Sequence, residues 1–150
     1  MAVYTKINKK DLSVINSKFK THKFISFKGI KQGIENTNYL LKSKNEKFIL
    51  TIFEKRVSKK EIPFFMKLME QLNNLNFNCP KPLRNSKGNY IFKLKNKTAC
   101  IVSFLKGKDK KTLNLKNCYD VGKMIATMHS ATKKIKLHRR NSLSLKDWPK

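Results

Sequence analysis

The chain holds 150 residues, enough for one domain with a real core but cramped for two, since domains commonly hold about 100–150 residues. Its 39% apolar content and ten phenylalanines exclude a disordered chain, while 35 basic residues against nine acidic ones give a formal charge of +26. That balance raises nucleic acid as a partner, yet only Arg56, Arg84, Arg139 and Arg140 are arginine and the lysines are scattered along the whole chain, so a solvated basic surface is the preferred reading.

Cys79, Cys100 and Cys118 are odd in number, widely spaced and set in apolar contexts, which fits reduced thiols better than a disulfide frame. No zinc spacing exists, and His22, His129 and His138 have no partner at ligand distance in sequence. No apolar run is long enough to span a membrane and the opening MAVYTKINKK is no signal peptide, so a cytoplasmic protein without membrane partners is expected.

In chain order, Asn8 caps a helix through about Phe19, with Leu12, Ile15 and Phe19 on one stripe. Lys23 to Lys28 alternates as a strand and delivers the chain into Gly29 and Gly33, whose lack of Cβ permits a tight turn that a ligand can approach. Ile34, Glu35, Asn36, Thr37 and Asn38 follow, so that turn is either an ordinary hairpin loop or a phosphate-holding one; it matches neither G-x-x-x-x-G-K-[ST] nor G-x-G-x-x-G. Strands are predicted over Asn38 to Ser43 and Lys47 to Phe53, joined by a turn at Lys44, Asn45 and Glu46.

Ser58 and Glu61 have capping-box spacing for a helix to about Leu75, with Phe65, Leu68, Leu72 and Leu75 on one side. Pro63 argues for a start nearer Ile62, which would leave Glu61 for another partner. The Cys79 to Pro82 connector is non-helical, and strands are predicted over Tyr90 to Leu94 and Thr98 to Leu105. After Gly107 and a polar linker, Val121, Met124, Ile125, Met128, Thr132 and Ile135 mark a long amphipathic helix over Asn117 to Ile135. The sum is an α+β fold, a five-stranded antiparallel sheet with packed helices in the layout of a nucleotide-clasping lobe. Its last strand would put the backbone of Ser103, Phe104 and Leu105 at a cleft.

The stretches GIKQGIENTNYLL, KFILTIFE, EIPFFMKLMEQL, the Cys79-Pro80 connector, IVSFLKGK and VGKMIATMHSATK, in register over nearly the whole chain, closely resemble the N-terminal part of bacterial type II homoserine kinases. That family belongs to the aminoglycoside phosphotransferase and choline kinase group, with a protein-kinase-like fold. The resemblance implies ATP- and Mg²⁺-dependent phosphorylation of the L-homoserine hydroxyl in threonine biosynthesis. It places Gly29, Gly33, Asn36 and Asn38 in the phosphate-covering loop, Ser103, Phe104 and Leu105 in the hinge beside adenine, and Glu61 at the helix acid. Thr51 stands where many relatives of this fold carry a third-strand Lys or Arg, so Lys31 or Lys55 is the candidate for the missing positive charge.

The catalytic H-x-D-x-x-x-x-N loop is not in these 150 residues, and Asp11, Asp109, Asp120 and Asp147 do not supply its pattern. The expected organisation is therefore a small lobe over 1–105, then a hinge, linker and first helix of an incomplete large lobe over 106–150, with no catalytic residue or metal ligand in this chain and no turnover from it alone. Other readings are a kinase of the same fold acting on choline, methylthioribose or an aminoglycoside, or a small basic nucleic-acid-binding protein.

Overall fold

The computed structural model describes residues 3–54, 59–107 and 109–140. Asn8 starts helix α1 (Lys9–Lys18) through a reciprocal cap: its Oδ1 accepts the Asp11 N–H at 3.0 Å and the Asp11 carboxylate accepts the Asn8 N–H at 2.8 Å. The expected stripe is used, with Ile15 and Phe19 buried and Leu12 packed against the same cluster.

Five strands follow the alternating stretches: β1 (Ser26–Gly29), β2 (Thr37–Lys42), β3 (Lys47–Ile52), β4 (Ile91–Leu94) and β5 (Lys97–Ser103). They form one antiparallel sheet in the order β1-β2-β3-β5-β4, so the first three are a meander and the last two a hairpin turned to set β5 beside β3. That hairpin turns on Lys95 and Asn96, both left-handed at φ 48° and 61°, the geometry that matches the twist of a two-residue connection.

Because side chains alternate across a strand, the two sheet faces bury different sets. Tyr39, Leu41, Phe48, Leu50, Ile52, Ala99 and Ile101 meet Ile15 of α1 and Phe19 just after it on one face. Ile62 and Met66 of helix α2 (Ile62–Asn74) cover Cys100 and Tyr90 on the other. All three cysteines are free thiols, and burial pushes the Cys100 thiol up to about 12.

Helix α2 starts at Ile62 with Pro63 in its first turn, the later of the two starts considered, but it docks through a different row than expected. Ile62, Met66 and Leu72 are buried and Met69 packs beside them, whereas Phe65 and Leu75 are each 37% exposed. The physical cause is Ile62: drawn fully into the sheet cluster, it fixes the helix rotation so that the positions four and seven residues on become the contact row. Phe65 instead lies under the Arg139 guanidinium, 5.2 Å from its ring centre.

Helix α3 (Leu115–Thr132) begins two residues earlier than predicted, because Asn114 and Asn117 cap one another. It ends at Thr132, before Ile135. None of its residues is buried, and Val121, Met124 and Ile125 are exposed. Among the described residues no helix is long and apolar enough to cross a membrane.

Candidate functional site

The glycine turn lies between β1 and β2 and is open to solvent, with Ile34 85% exposed. Gly33 has φ 121°, which the turn requires and other residues rarely adopt. Gly29 is different. It is the last residue of β1, paired with Tyr39, and a Cβ there would sit 3.1 Å from Val3 Cγ2 and 3.5 Å from Tyr39 Cε1. Its need for glycine therefore comes from a packed N-terminal segment on the outer face rather than from a left-handed turn, a correction to the reason expected from sequence.

On the opposite side of β1, residues Lys28 to Gln32 border a recess of about 530 Å³ that is completed by Leu40 and Phe104. The turn and the segment after β5 thus meet at one opening, and two lysines, Lys28 and Lys31, are among the residues that border it. Of the residues expected at the site, this recess brings Gly29 and Phe104 together; Gly33, Asn36, Asn38, Thr51, Ser103 and Leu105 are not among those bordering it. Lys28 was not anticipated, although its alternation with Phe27 in β1 is the signal that places it on the opposite face. Lys55 and Ser58 lie outside the described residues.

The backbone donors at the end of β5 are partly committed. Ser103 N–H donates to Lys81 O and Ser103 Oγ accepts the Lys81 N–H, each at 2.8 Å, while Phe104 N–H donates to Lys47 O at 3.1 Å. Ser103 borders a second recess, of about 390 Å³, together with His22, Glu46, Lys81 and Arg84. There Arg84 holds Glu70 at 2.9 Å and stacks over the Tyr90 ring, whose hydroxyl donates to Glu70. Hydrogen bonds from Arg84 and Tyr90 keep the Glu70 carboxyl below its ordinary range, and burial together with the Glu70 bond pushes Tyr90 up to about 12.

Asn38 and Thr51 are register partners on β2 and β3, and the Thr51 hydroxyl donates to Asn38 Oδ1 at 2.8 Å. That bond fixes the amide and leaves its NH₂ group directed elsewhere. Asn36 Oδ1 accepts the Glu54 N–H at 3.4 Å, so its carbonyl serves the base of the turn. Glu61 makes no capping bond; its Oε1 takes Arg139 Nη2 at 3.0 Å and Nε at 3.1 Å, the other partner that the Pro63 reading left room for.

Behind the turn stands a polar cluster that the sequence did not announce. Glu54 Oε1 accepts from Thr37 Oγ1 at 2.6 Å and Thr5 Oγ1 at 2.7 Å, and Oε2 pairs with Lys97. Burial opposes ionisation of Glu54, but the bonds from Lys97, Thr37 and Thr5 outweigh it and hold its pKa below the usual carboxylate value. Thr5, Glu54 and Lys97 are separated by 49 and 43 positions, so no local pattern could have revealed them.

The profile of the phosphotransferase enzyme family matches residues 26–150 of this chain. Two curated relatives are homoserine kinases: that of Bartonella tribocorum is 38% identical and that of Allorhizobium ampelinum 41%, each over 148 residues covering 99% of this chain and 46% of the relative. The chain thus spans about half the length of the curated relatives it matches. Among solved structures, the amicoumacin kinase hAmiN in complex with AMP-PNP, Ca²⁺ and Ami superposes with a TM-score of 0.70 at 16% identity, over 89% of this chain and 42% of that one. That likeness shows the fold, a kinase-like N-terminal lobe.

Proposed function

The chain belongs to the phosphotransferase enzyme family, and on that premise we propose that it supplies the nucleotide-clasping lobe of a homoserine kinase, which transfers the γ-phosphoryl group of ATP to the hydroxyl of L-homoserine on the way to threonine. The observation that carries this reading is the recess of about 530 Å³, in which residues of the glycine turn and the post-β5 segment share one opening bordered by two lysines. Its volume lies within the range of about 300–1,000 Å³ usual for small-ligand pockets. The homoserine kinase relatives supply the acceptor.

In this reading Leu40 and Phe104 give the adenine ring its apolar walls. The Ser103 and Phe104 amides are spent within the protein, so the adenine edge is left to the Leu105 backbone. Lys28 and Lys31 face the phosphates in place of the third-strand cation that Thr51 cannot supply, and the Asn38 NH₂ group, set by Thr51, is a further donor. Gly33 lets the turn fold over them.

ATP brings the transferable phosphoryl group, and Mg²⁺ would neutralise charge on it. The sequence carries no H-x-D-x-x-x-x-N loop, and we assign the Mg²⁺ ligands and the aspartate that orients the acceptor hydroxyl to the part of the relatives' length that this chain does not cover. Residues 1–105 are then the small lobe and 106–150 the hinge, linker and opening helix of the large one. The Glu61–Arg139 pair ties the latter to the start of α2.

A chimera tests the reading. These 150 residues are joined to the part of the Bartonella tribocorum relative beyond the matched 46% of its length, and phosphorylation of homoserine is measured with ATP and Mg²⁺. The chimera is expected to turn over homoserine while the 150-residue chain alone does not. A folded chimera that binds no ATP, or turnover by the chain alone above a no-protein control, would contradict it.

A further inference from the structure

The outer face of the glycine turn is held by the N-terminal segment, and the contacts cover both stems and the tip. Val3 packs on the empty Cβ side of Gly29, the first stem. Tyr4 Oη donates to Ile34 O at 2.8 Å, at the tip. The Tyr4 and Thr5 amides both donate at 3.0 Å to Oγ1 of Thr37, the fully buried second stem. Tyr39 Oη then donates to Thr5 O at 2.9 Å and accepts the Ile7 N–H at 3.1 Å.

This arrangement has one anchor. Thr37 Oγ1 receives two backbone donors, so its own proton must go to an acceptor, and that acceptor is Glu54. The same carboxylate takes the Thr5 hydroxyl and pairs with Lys97 of β5, and Lys97 also donates to Thr5 Oγ1 at 2.8 Å. An ionised carboxylate accepts only, so it orients every hydroxyl of the cluster in one sense. Glu54 is on the far side of β3 from the residues that border the recess, since it follows the alternation of Leu50 and Ile52.

We propose that Glu54 is a positioning residue for the glycine turn, clamping residues 3–5 as a strap across its back so that segment 30–36 keeps one conformation over the recess. The inference rests on the nucleotide reading for its purpose but not for its geometry. A turn held in its binding conformation loses less affinity to unproductive states, because apparent affinity falls with the fraction of competent molecules.

Backbone ¹⁵N relaxation and amide exchange of the full chain test it, with and without a non-hydrolysable ATP analogue. Tyr4→Phe removes only the bond to Ile34 O from a residue that is 58% exposed, so it folds; Glu54→Gln removes the anchor's charge and turns the oxygen that pairs with Lys97 into a donor. In both variants order parameters over 31–36 should fall from near 0.85 toward 0.6. The Ile30 amide, which closes the turn on Asn38 O at 2.9 Å, should exchange about fivefold faster, the worth of one net hydrogen bond, while β5 amides keep their rates. Analogue affinity should fall by a similar factor in Glu54→Gln although Glu54 does not border the recess.

Unchanged turn dynamics in both variants would overturn the proposal. So would Glu54→Gln speeding β5 exchange as much as Ile30 while Tyr4→Phe changes nothing, since that is general destabilisation. A turn that loosens in the variants, yet is unaffected by the analogue in the unaltered chain, would uphold the strap and refute the nucleotide reading.

Discussion

Replacing Gly29 by alanine asks which neighbour the missing Cβ serves. The new methyl would lie 3.1 Å from Val3 Cγ2, 3.5 Å from Tyr39 Cε1 and 3.8 Å from Val3 Cγ1. Carbon pairs prefer about 3.5–4.0 Å, so the Tyr39 contact is tolerable and the Val3 contact is not. Tyr39 cannot retreat, because it is buried and its hydroxyl is held on both sides by residues 5 and 7. Val3 must therefore shift. Overpacking costs about 1–3 kcal/mol, and the lower end applies where one partner sits on a terminal segment. Against this stands about 0.5–1 kcal/mol gained by restricting the unfolded chain, with no penalty from a left-handed backbone.

The net expectation is a loss of at most about 0.5 kcal/mol, or about 1–2 °C in a domain of this size. In a Val3→Ala background the clash disappears and Gly29→Ala should become neutral or stabilising by about 0.5 kcal/mol, a coupling of about 1 kcal/mol between the two positions. Urea unfolding of the four proteins measures it. Coupling below about 0.3 kcal/mol, with Gly29→Ala abolishing nucleotide affinity at unchanged stability, would refute the packing argument and restore Gly29 to the ligand side.

The folded-state pKa values of Glu54 and Glu70 lie below their ordinary value of 4.5, so the stability each contributes is fully present above about that pH and is lost as pH falls through the lower folded value. The midpoint of thermal unfolding should be flat from pH 7 to about 5 and then decline, and Glu54→Gln should flatten part of that decline; an identical acid slope in the variant would contradict it. Lys28→Ala and Lys31→Ala should each weaken binding of an ATP analogue about two- to fivefold at low salt, with the difference shrinking in high salt, as titration calorimetry would read. On α2, Met66→Ala should cost about 2–4 kcal/mol by opening a cavity against Cys100 and Tyr90. Phe65→Ala should cost under about 1.5 kcal/mol because that ring is partly exposed, and equal losses would return the helix to the row expected from sequence.

The elements and their order were legible because alternation over Lys23 to Lys28, Asn38 to Ser43 and Lys47 to Phe53 and the stripe of Leu12, Ile15 and Phe19 are local signals, although the first strand begins only at Ser26. The docking face of α2 was not. Phe65 and Leu68 are as apolar as Met66 and Met69, and only the sheet's hold on Ile62 decides between the two rows. The same division runs through the site. Gly33 was readable as a turn glycine, while the true neighbour of Gly29 is Val3, 26 positions away in a segment with no pattern of its own. The end of the last strand could be placed near Ser103, but which amides there were already taken depended on Lys81 and Lys47. Glu54 and Lys97 carry no local pattern of their own, and only folding brings both to the Thr5 hydroxyl.

Titrating the ¹⁵N-labelled chain with an ATP analogue and Mg²⁺ tests the central claim most directly. Saturable shifts are expected at Lys28 to Gln32, Leu40, Phe104 and Leu105, with an affinity near millimolar because one wall of the cleft is assigned to residues beyond this chain. No saturable shift, or shifts confined to the recess around His22, Lys81 and Arg84, would contradict it.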